Sequence, residues 1–349
     1  MQRFSAEFLT TIATDVFAAL QAPRAEARIV AEHLVLSNLM GLDSHGVVRI
    51  PLYTRWTREG PIRPGAAIST MQANQAVTIV DCGYNFGQVG ALRATELAVA
   101  RAKEHGIACA VTRNCAHVGR LGHYTQLAAE AGMFALATAN SPNAGHWVVP
   151  FGGLEGRIGA NPISWAAPGS VHPVLADMAL STTAQGKVVI YRNRGKQLPE
   201  GWIIDASGNP TTDPGELFKN PHGWILPLGG NVGYKGFALL LLAEVLSSTL
   251  AGNSMTAAIP DGTNGFCIIV LDIAALTPVD EFRRLIGEMT AYLESAPPAP
   301  GAAPVMMPGE LEFRTLAERQ ANGIPVEEAT WGAIRETAES LQVAIGEVS

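Results

Sequence analysis

The 349-residue chain lacks the familiar signatures of nucleotide binding and of nucleophilic hydrolysis. It has no GxxxxGKS/T phosphate loop, and no GxGxxG follows a strand. The nearest glycine run, Gly83, Gly87 and Gly90, has the wrong spacing for a dinucleotide fingerprint, which on its own argues against a Rossmann site. No GxSxG elbow is present. Cysteine is scarce: Cys82, Cys109, Cys115 and Cys267 form no CxxC pair, so they read as free thiols in a reducing compartment, and no His/Cys cluster suggests a metal. Charge is also sparse. Charged residues are 16%, and 24 Lys+Arg against 31 Asp+Glu leave a net charge of −7, which disfavours nucleic acid or an anionic membrane as partner. MQRFSAEFL has no basic segment followed by an apolar one, so no signal peptide is expected. The most apolar stretch, Phe237 to Val245, is about half of a bilayer span. These absences together predict a cytoplasmic protein.

What is present is apolar and α/β in rhythm. Hydrophobic residues are 48%, too many for a disordered chain of this length. Ser5 is placed to cap a helix to about Gln21, with Glu7 in its first turn, and Pro23 suits the opening of a second helix that Gly41 ends. Residues 62 to 70 read as irregular. Strands are expected at Val77–Cys82, Ile107–Thr112 and Phe134–Ala139, with helices at 87–105 and 122–131 between them. The middle changes to short apolar runs, Ile163–Ala166, Val188–Tyr191 and Trp202–Asp205, which suit a more antiparallel sheet. Gly233–Leu250 reads as a buried helix, Phe266–Ile273 as a strand and Pro278–Ser295 as a helix. A proline-rich loop at 297–308 precedes two last helices, 309–322 and 326–345. No internal repeat is visible.

Several polar clusters stand out. Asp43-Ser44-His45-Gly46, with Arg49 and Tyr53, follows a helix end. It is either a capped turn with a surface histidine, or an imidazole placed for proton exchange beside a guanidinium that grips a carboxylate. His117 to His123 leads from a strand into a helix, where glycines permit close approach and Arg120 adds charge; an ordinary turn fits equally. Asn140-Ser141-Pro142-Asn143 and Gly159-Ala160-Asn161-Pro162 are turns near strand ends, common ligand positions in α/β proteins. Gly233-Tyr234-Lys235-Gly236 opens the most apolar helix, where a lysine needs either solvent or an anion.

In order along the chain, DSHGVVRIPLY (43–53), HVGRLGHY (117–124), GANPISWAAP (159–168), LADMALSTTAQGK (175–187), LPEGWIIDASGNPTTDP (198–214), LGGNVGYKGFALLLLAEVLSSTLAG (228–252) and MPGELEFRTLAERQANGIP (307–325) resemble the malate/L-lactate dehydrogenase family. That family also holds ureidoglycolate, sulfolactate and hydroxycarboxylate dehydrogenases and cyclic imino-acid reductases. The resemblance implies an α/β fold of α+β character: a non-Rossmann NAD(P)-binding domain, residues 76–308, with a largely antiparallel sheet. Residues 1–75 with 309–349 would form a helical domain for substrate and dimerisation.

The resemblance also implies roles. His45 would be the acid/base, Ser44 its orienting neighbour, Arg49 the carboxylate clamp and His117 the second acid/base candidate. NAD or NADP would meet Asp177, Met178 and Ala179, with Ser141, Tyr234, Lys235, Pro308, Gly309 and Glu310. Arg120 offers a partner for a 2′-phosphate. The sequence departs from the family pattern at Ala160, at Ala179-Leu180-Ser181 and at Lys187, where imine-reducing members carry an acid. The expected activity is therefore interconversion of a 2-hydroxy acid and a 2-oxo acid by a homodimer. The alternatives are an NADPH-dependent reductase of a Δ1-piperideine-2-carboxylate-type imine, or a silent cofactor-binding protein.

Overall fold

In the computed structural model, residues 2–142, 145–253 and 261–346 are described. Asn143, from the turn after Asn140, lies outside them. Ser5 caps the first helix, α1 (Ala6–Ala19), its Oγ accepting from Phe8 N at 3.1 Å. Pro23 precedes α2 (Arg24–Leu39), and Gly41 turns the chain at φ 83°. Two short 3-10 turns, Asp43–His45 and Val47–Arg49, lead into α3 (Ile50–Glu59).

The sequence signals for strand and helix then alternate as expected. Strands β3 (Val77–Asp81), β4 (Ile107–Arg113) and β6 (Met133–Ala139) are separated by α4 (Gly87–His105) and α5 (Gly122–Glu130). With β2 (Ser69–Gln72), β7 (Ile163–Ala167), β8 (Val174–Met178) and β13 (Phe266–Asp272) they form a seven-stranded sheet in the order β2-β3-β4-β13-β6-β7-β8. Only β3 and β4 run parallel; every other neighbouring pair is antiparallel. The sheet is thus mixed and largely antiparallel, unlike the parallel sheet of a doubly wound fold.

Alternation along β13 divides the two faces. Ile268 and Val270 pack with the alanines of α4 (Ala91, Ala94, Ala98, Ala102), whose small side chains bring helix and sheet close. Cys267 and Ile269 face the opposite side, where α7 (Tyr234–Ser247) and the turn after it lie. Short strands β5 (Cys115–Ala116) and β12 (Thr263–Asn264) pair beside the sheet. A smaller sheet joins β9 (Ile203–Ile204), β10 (Pro210–Thr211) and β11 (Trp224–Ile225).

Both chain ends enter one core. Phe4, Leu9, Val16 and Phe17 pack with Ile324, Trp331 and Ile334. The last two belong to α10 (Glu328–Ser340), which follows α9 (Glu310–Asn322), and α8 (Val279–Glu294) precedes them. Strands β1 (Gln2–Phe4) and β14 (Ile324–Val326), absent from the sequence reading, tie the ends together as an antiparallel pair.

Three expectations are corrected. Val188–Tyr191 is not a strand but part of α6 (Gln185–Asn193): Val188 and Tyr191, three apart, face a common core. The helix at 234–247 is not buried throughout. Leu240, Ala243 and Glu244 face inward, while Leu239, Leu241, Leu242 and Val245 are exposed. The apolar helical stretch Tyr234–Ala251, at 18 residues, is also long enough by length and composition to cross a bilayer, although 39% of it is buried in the protein. Lys235, at its start, is exposed and solvated.

Gly87 opens α4 against the main chain that carries His117. A Cβ there would collide with the carbonyl oxygens of Ala116 and His117. Gly87→Ala should therefore cost about 1–3 kcal/mol, as overpacking does. Urea unfolding checks this through a lowered midpoint, and a midpoint equal to that of the unmodified protein contradicts it.

Candidate active site

Two polar turns meet in one cleft. Ser44, His45 and Arg49 approach from the turns after α2, and His117 and Arg120 from the segment between β5 and α5. The cavity between them is about 460 Å³, and Ser141, Asp177, Met178 and Ala179 complete its far wall. That volume lies in the range of small-molecule sites.

Asp43 shapes the first turn. Asn38 Nδ2 donates to Asp43 Oδ1 at 2.6 Å, and Asn38 Oδ1 accepts from Val47 N at 2.8 Å. Arg319, from α9, donates to both carboxylate oxygens, at 2.6 and 3.1 Å. Gly46 is required as glycine because a Cβ would strike the Asn38 amide. Within this frame Ser44 Oγ lies 3.0 Å from His45 Nδ1, and Arg49 Nε donates to Ser44 O at 2.7 Å. The Arg49 side chain is thereby held from behind. Its terminal nitrogens have no protein partner among the described residues.

His45 and His117 stack across the cleft, ring centroids 5.9 Å apart and planes 19° from parallel. Both are held neutral. The enclosing walls desolvate His45 and, with the nearby charges of Arg49 and Arg120, pull it down to about 3. Desolvation, then Arg49 and His45, lower His117 well below the ordinary imidazole value. Trp56 lies against His117, centroids 6.1 Å apart, as an apolar wall.

On the far wall, Gly122 N donates to Asp177 Oδ2 at 2.7 Å, and Oδ1 has no protein partner among the described residues. Burial raises the Asp177 carboxyl, and Arg120 opposes that rise. Arg120 is itself buried. Its main-chain N donates to His33 Nε2 at 2.9 Å and its Nη2 to Gln126 Oε1 at 3.2 Å, while Nε and Nη1 are unpaired. A Cβ on Gly122 would lie 2.8 Å from Asp177 Oδ2 and 3.3 Å from Arg120 Nη1, so the glycine keeps this notch open.

A buried amide network joins the walls. Glu244 of α7 accepts from Asn140 Nδ2 at 2.9 Å and from Asn161 Nδ2 at 2.7 Å. Asn140 O accepts from Asn264 Nδ2 at 2.5 Å, and Asn264 Oδ1 accepts from Val118 N at 3.0 Å.

The remaining expected site residues do not line this cleft. Tyr234 and Lys235 are exposed at the start of α7, Tyr234 facing Phe151. Pro308, Gly309 and Glu310 sit behind β8, where Pro308 O accepts from Leu175 N at 3.1 Å. Lys187 points away, its Nζ 5.1 Å from the Trp202 ring. Sequence reasoning missed Asn38, Glu244, Asn264 and Arg319. Glu244, Asn264 and Arg319 act through partners distant in sequence, for which a lone sequence carries no signal, and Asn38 acts through the turns just after its helix.

The chain is similar throughout to known dehydrogenases. The family model described as malate/L-lactate dehydrogenase matches residues 4–335. A malate dehydrogenase of Pyrococcus horikoshii is 35% identical over 94% of this chain and 92% of its own. The solved sulfolactate dehydrogenase of Methanocaldococcus jannaschii superposes with a TM-score of 0.91 at 30% identity, covering 99% of this chain and 98% of that one. The solved Δ1-piperideine-2-carboxylate reductase of Pseudomonas syringae pathovar tomato gives 0.84 at 28% identity over 97% of this chain and 100% of that one. With a mixed sheet, a stacked imidazole pair and a family match over nearly its full length, the chain belongs to the malate/L-lactate dehydrogenase family.

Proposed function

We propose that this protein interconverts a 2-hydroxy acid and its 2-oxo acid, using NAD or NADP. The observation that carries this reading is the convergence of two neutral imidazoles and one backed guanidinium in a single cleft. Arg49 receives the substrate carboxylate on its free terminal nitrogens, which aligns C2 and its oxygen between the two rings. His45 takes the hydroxyl proton in oxidation and returns it in reduction, and Ser44 holds the ring through Nδ1. A nicotinamide, when bound, accepts or supplies the hydride.

The residues present fit such a cofactor. Asp177 keeps one oxygen free beside the unpaired guanidinium nitrogens of Arg120, a donor–acceptor set that suits a carboxamide. Arg120 is close enough to depress His45, so we place it at the reacting end rather than at a 2′-phosphate. Met178, Ala179 and Ser141 continue that wall. Tyr234, Lys235 and Pro308–Glu310 would hold more distant parts of the cofactor. Residues 1–75 with 309–349 then carry the substrate groups, and 76–308 most of the cofactor surface. The exposed leucines of α7 suit a second copy of the chain, giving a homodimer.

Imine reduction is the second reading, favoured by the likeness to the piperideine-carboxylate reductase. A panel of 2-oxo acids and one cyclic imine, each with NADH and NADPH, separates the two. Cofactor binding without turnover on any of them supports a silent binding protein.

His45→Ala should lower kcat by about 10²–10⁴ while leaving cofactor affinity unchanged, as loss of one positioned proton carrier does. Equal turnover removes His45 from the role. The proton acceptor must be neutral, and a value near 3 keeps it so. For the oxidation, kcat/KM should therefore stay flat from about pH 8 to about pH 5, without the fall near 6.5 of an ordinary histidine. Replacing Arg49 by Gln should move the acid limb upward. Leu242→Glu should convert a dimer into monomers in sedimentation, and an unchanged sedimentation coefficient rejects the α7 interface.

A further inference from the structure

Tyr53 and Gln88 belong to no role described above, yet both are buried and both lie behind His117. Gln88 Nε2 donates to Tyr53 Oη at 2.8 Å, and Tyr53 Oη lies 2.8 Å from His117 Nδ1. The main-chain N–H of Gly119 also points at that Nδ1, at 3.2 Å. An amide proton is fixed. The nitrogen it addresses must present a lone pair, so Nδ1 carries no hydrogen. The Tyr53 hydroxyl has one proton, and it goes to the same lone pair. The hydroxyl oxygen must then accept, which fixes Gln88 with its Nε2 forward. Every direction in the chain from Gln88 through Tyr53 to His117 follows from one immovable backbone hydrogen.

We propose that Tyr53 and Gln88 are positioning residues that lock the neutral His117 with its proton on Nε2, so that His117 faces the cleft only as a hydrogen-bond donor. This deepens the dehydrogenase reading and rests on it for its functional consequence. A ring locked this way has no free lone pair to take the substrate proton. It donates to the substrate oxygen and favours the negative charge that grows there. His45 is different. Its one hydrogen bond among the described residues is with the Ser44 hydroxyl, which donates or accepts with equal ease, so its Nε2 is free to serve as the acceptor. The two stacked imidazoles therefore divide the work: His45 moves the proton and His117 holds the oxygen.

Nitrogen NMR of histidine-labelled protein reads the lock directly and requires no substrate. In the unmodified protein His117 should show a bare Nδ1 and a protonated Nε2. Tyr53→Phe keeps the ring that packs on Phe17 and Trp56 but removes the donor. It should shift His117 toward a mixture of tautomers and lower kcat about tenfold, the worth of one hydrogen bond, with KM for the hydroxy acid nearly unchanged. Gln88→Met, which frees the tyrosine proton to turn away, should do the same more weakly and covers the case in which Tyr53→Phe does not fold. A protonated Nδ1 in the unmodified protein overturns the proposal. So does a Tyr53→Phe protein with unaltered tautomer and unaltered kcat. If no hydroxy acid or imine is turned over while the NMR shows the locked ring, the lock stands and the dehydrogenase reading fails.

Discussion

The carboxylate of Asp43 is the constraint on which the candidate chemistry depends. It receives a two-pronged guanidinium from Arg319, near the far end of the chain, and an amide from Asn38, at the end of the helix before it. Arg319 is nearly enclosed, whereas Asp43 is half exposed, so the ion pair adds little to stability by itself. Its effect is geometric. The same Asn38 amide also fixes Val47 N, and so the two short turns carrying His45 and Arg49 cannot drift apart. The C-terminal helices thus serve a turn more than 270 residues earlier.

Keeping imidazoles neutral is the second constraint. His33, His45 and His123 lie near Arg120, and His117 near Arg49 and His45; burial, more than the nearby charges, lowers each of them. The low basicity follows first from enclosure and then from the guanidinium charges nearby. A proton bound there would add a third positive charge beside Arg49 and Arg120 in poorly solvated space. The arrangement favours imidazoles that stay neutral.

Local signals were the legible part of this fold. Ser5, Pro23 and Gly41 mark helix ends by chemistry confined to one or two residues, and the structure places ends there. The DSHG and HVGRLG segments were legible as polar turns beside glycines, and both line the cleft. Val188–Tyr191 misled because β-branched residues locally favour a strand, and here the core that Val188 and Tyr191 face from one side of a helix overrides that preference. β1 and β14 are three residues each and exist only because they find one another. Gln88 and Asn264 looked like ordinary polar residues. Their meaning lies in His117, Val118 and Asn140, contacts set by tertiary folding.

Helix α7 joins these themes. Its inner side carries Glu244, whose two oxygens hold Asn140 and Asn161, the residues beside Ser141 and Ala160 on the cleft wall. A buried carboxylate costs several kcal/mol of desolvation, about what a complete set of donors returns, so the network is sensitive to small shifts of its helix. The outer side of the same helix presents Leu239, Leu241, Leu242 and Val245 to solvent. Those leucines and the carboxylate that anchors the cleft wall stand on opposite faces of one helix. On the proposed reading, the helix that a second copy of the chain would cover is thus the one whose inner face holds the asparagines beside Ser141 and Ala160.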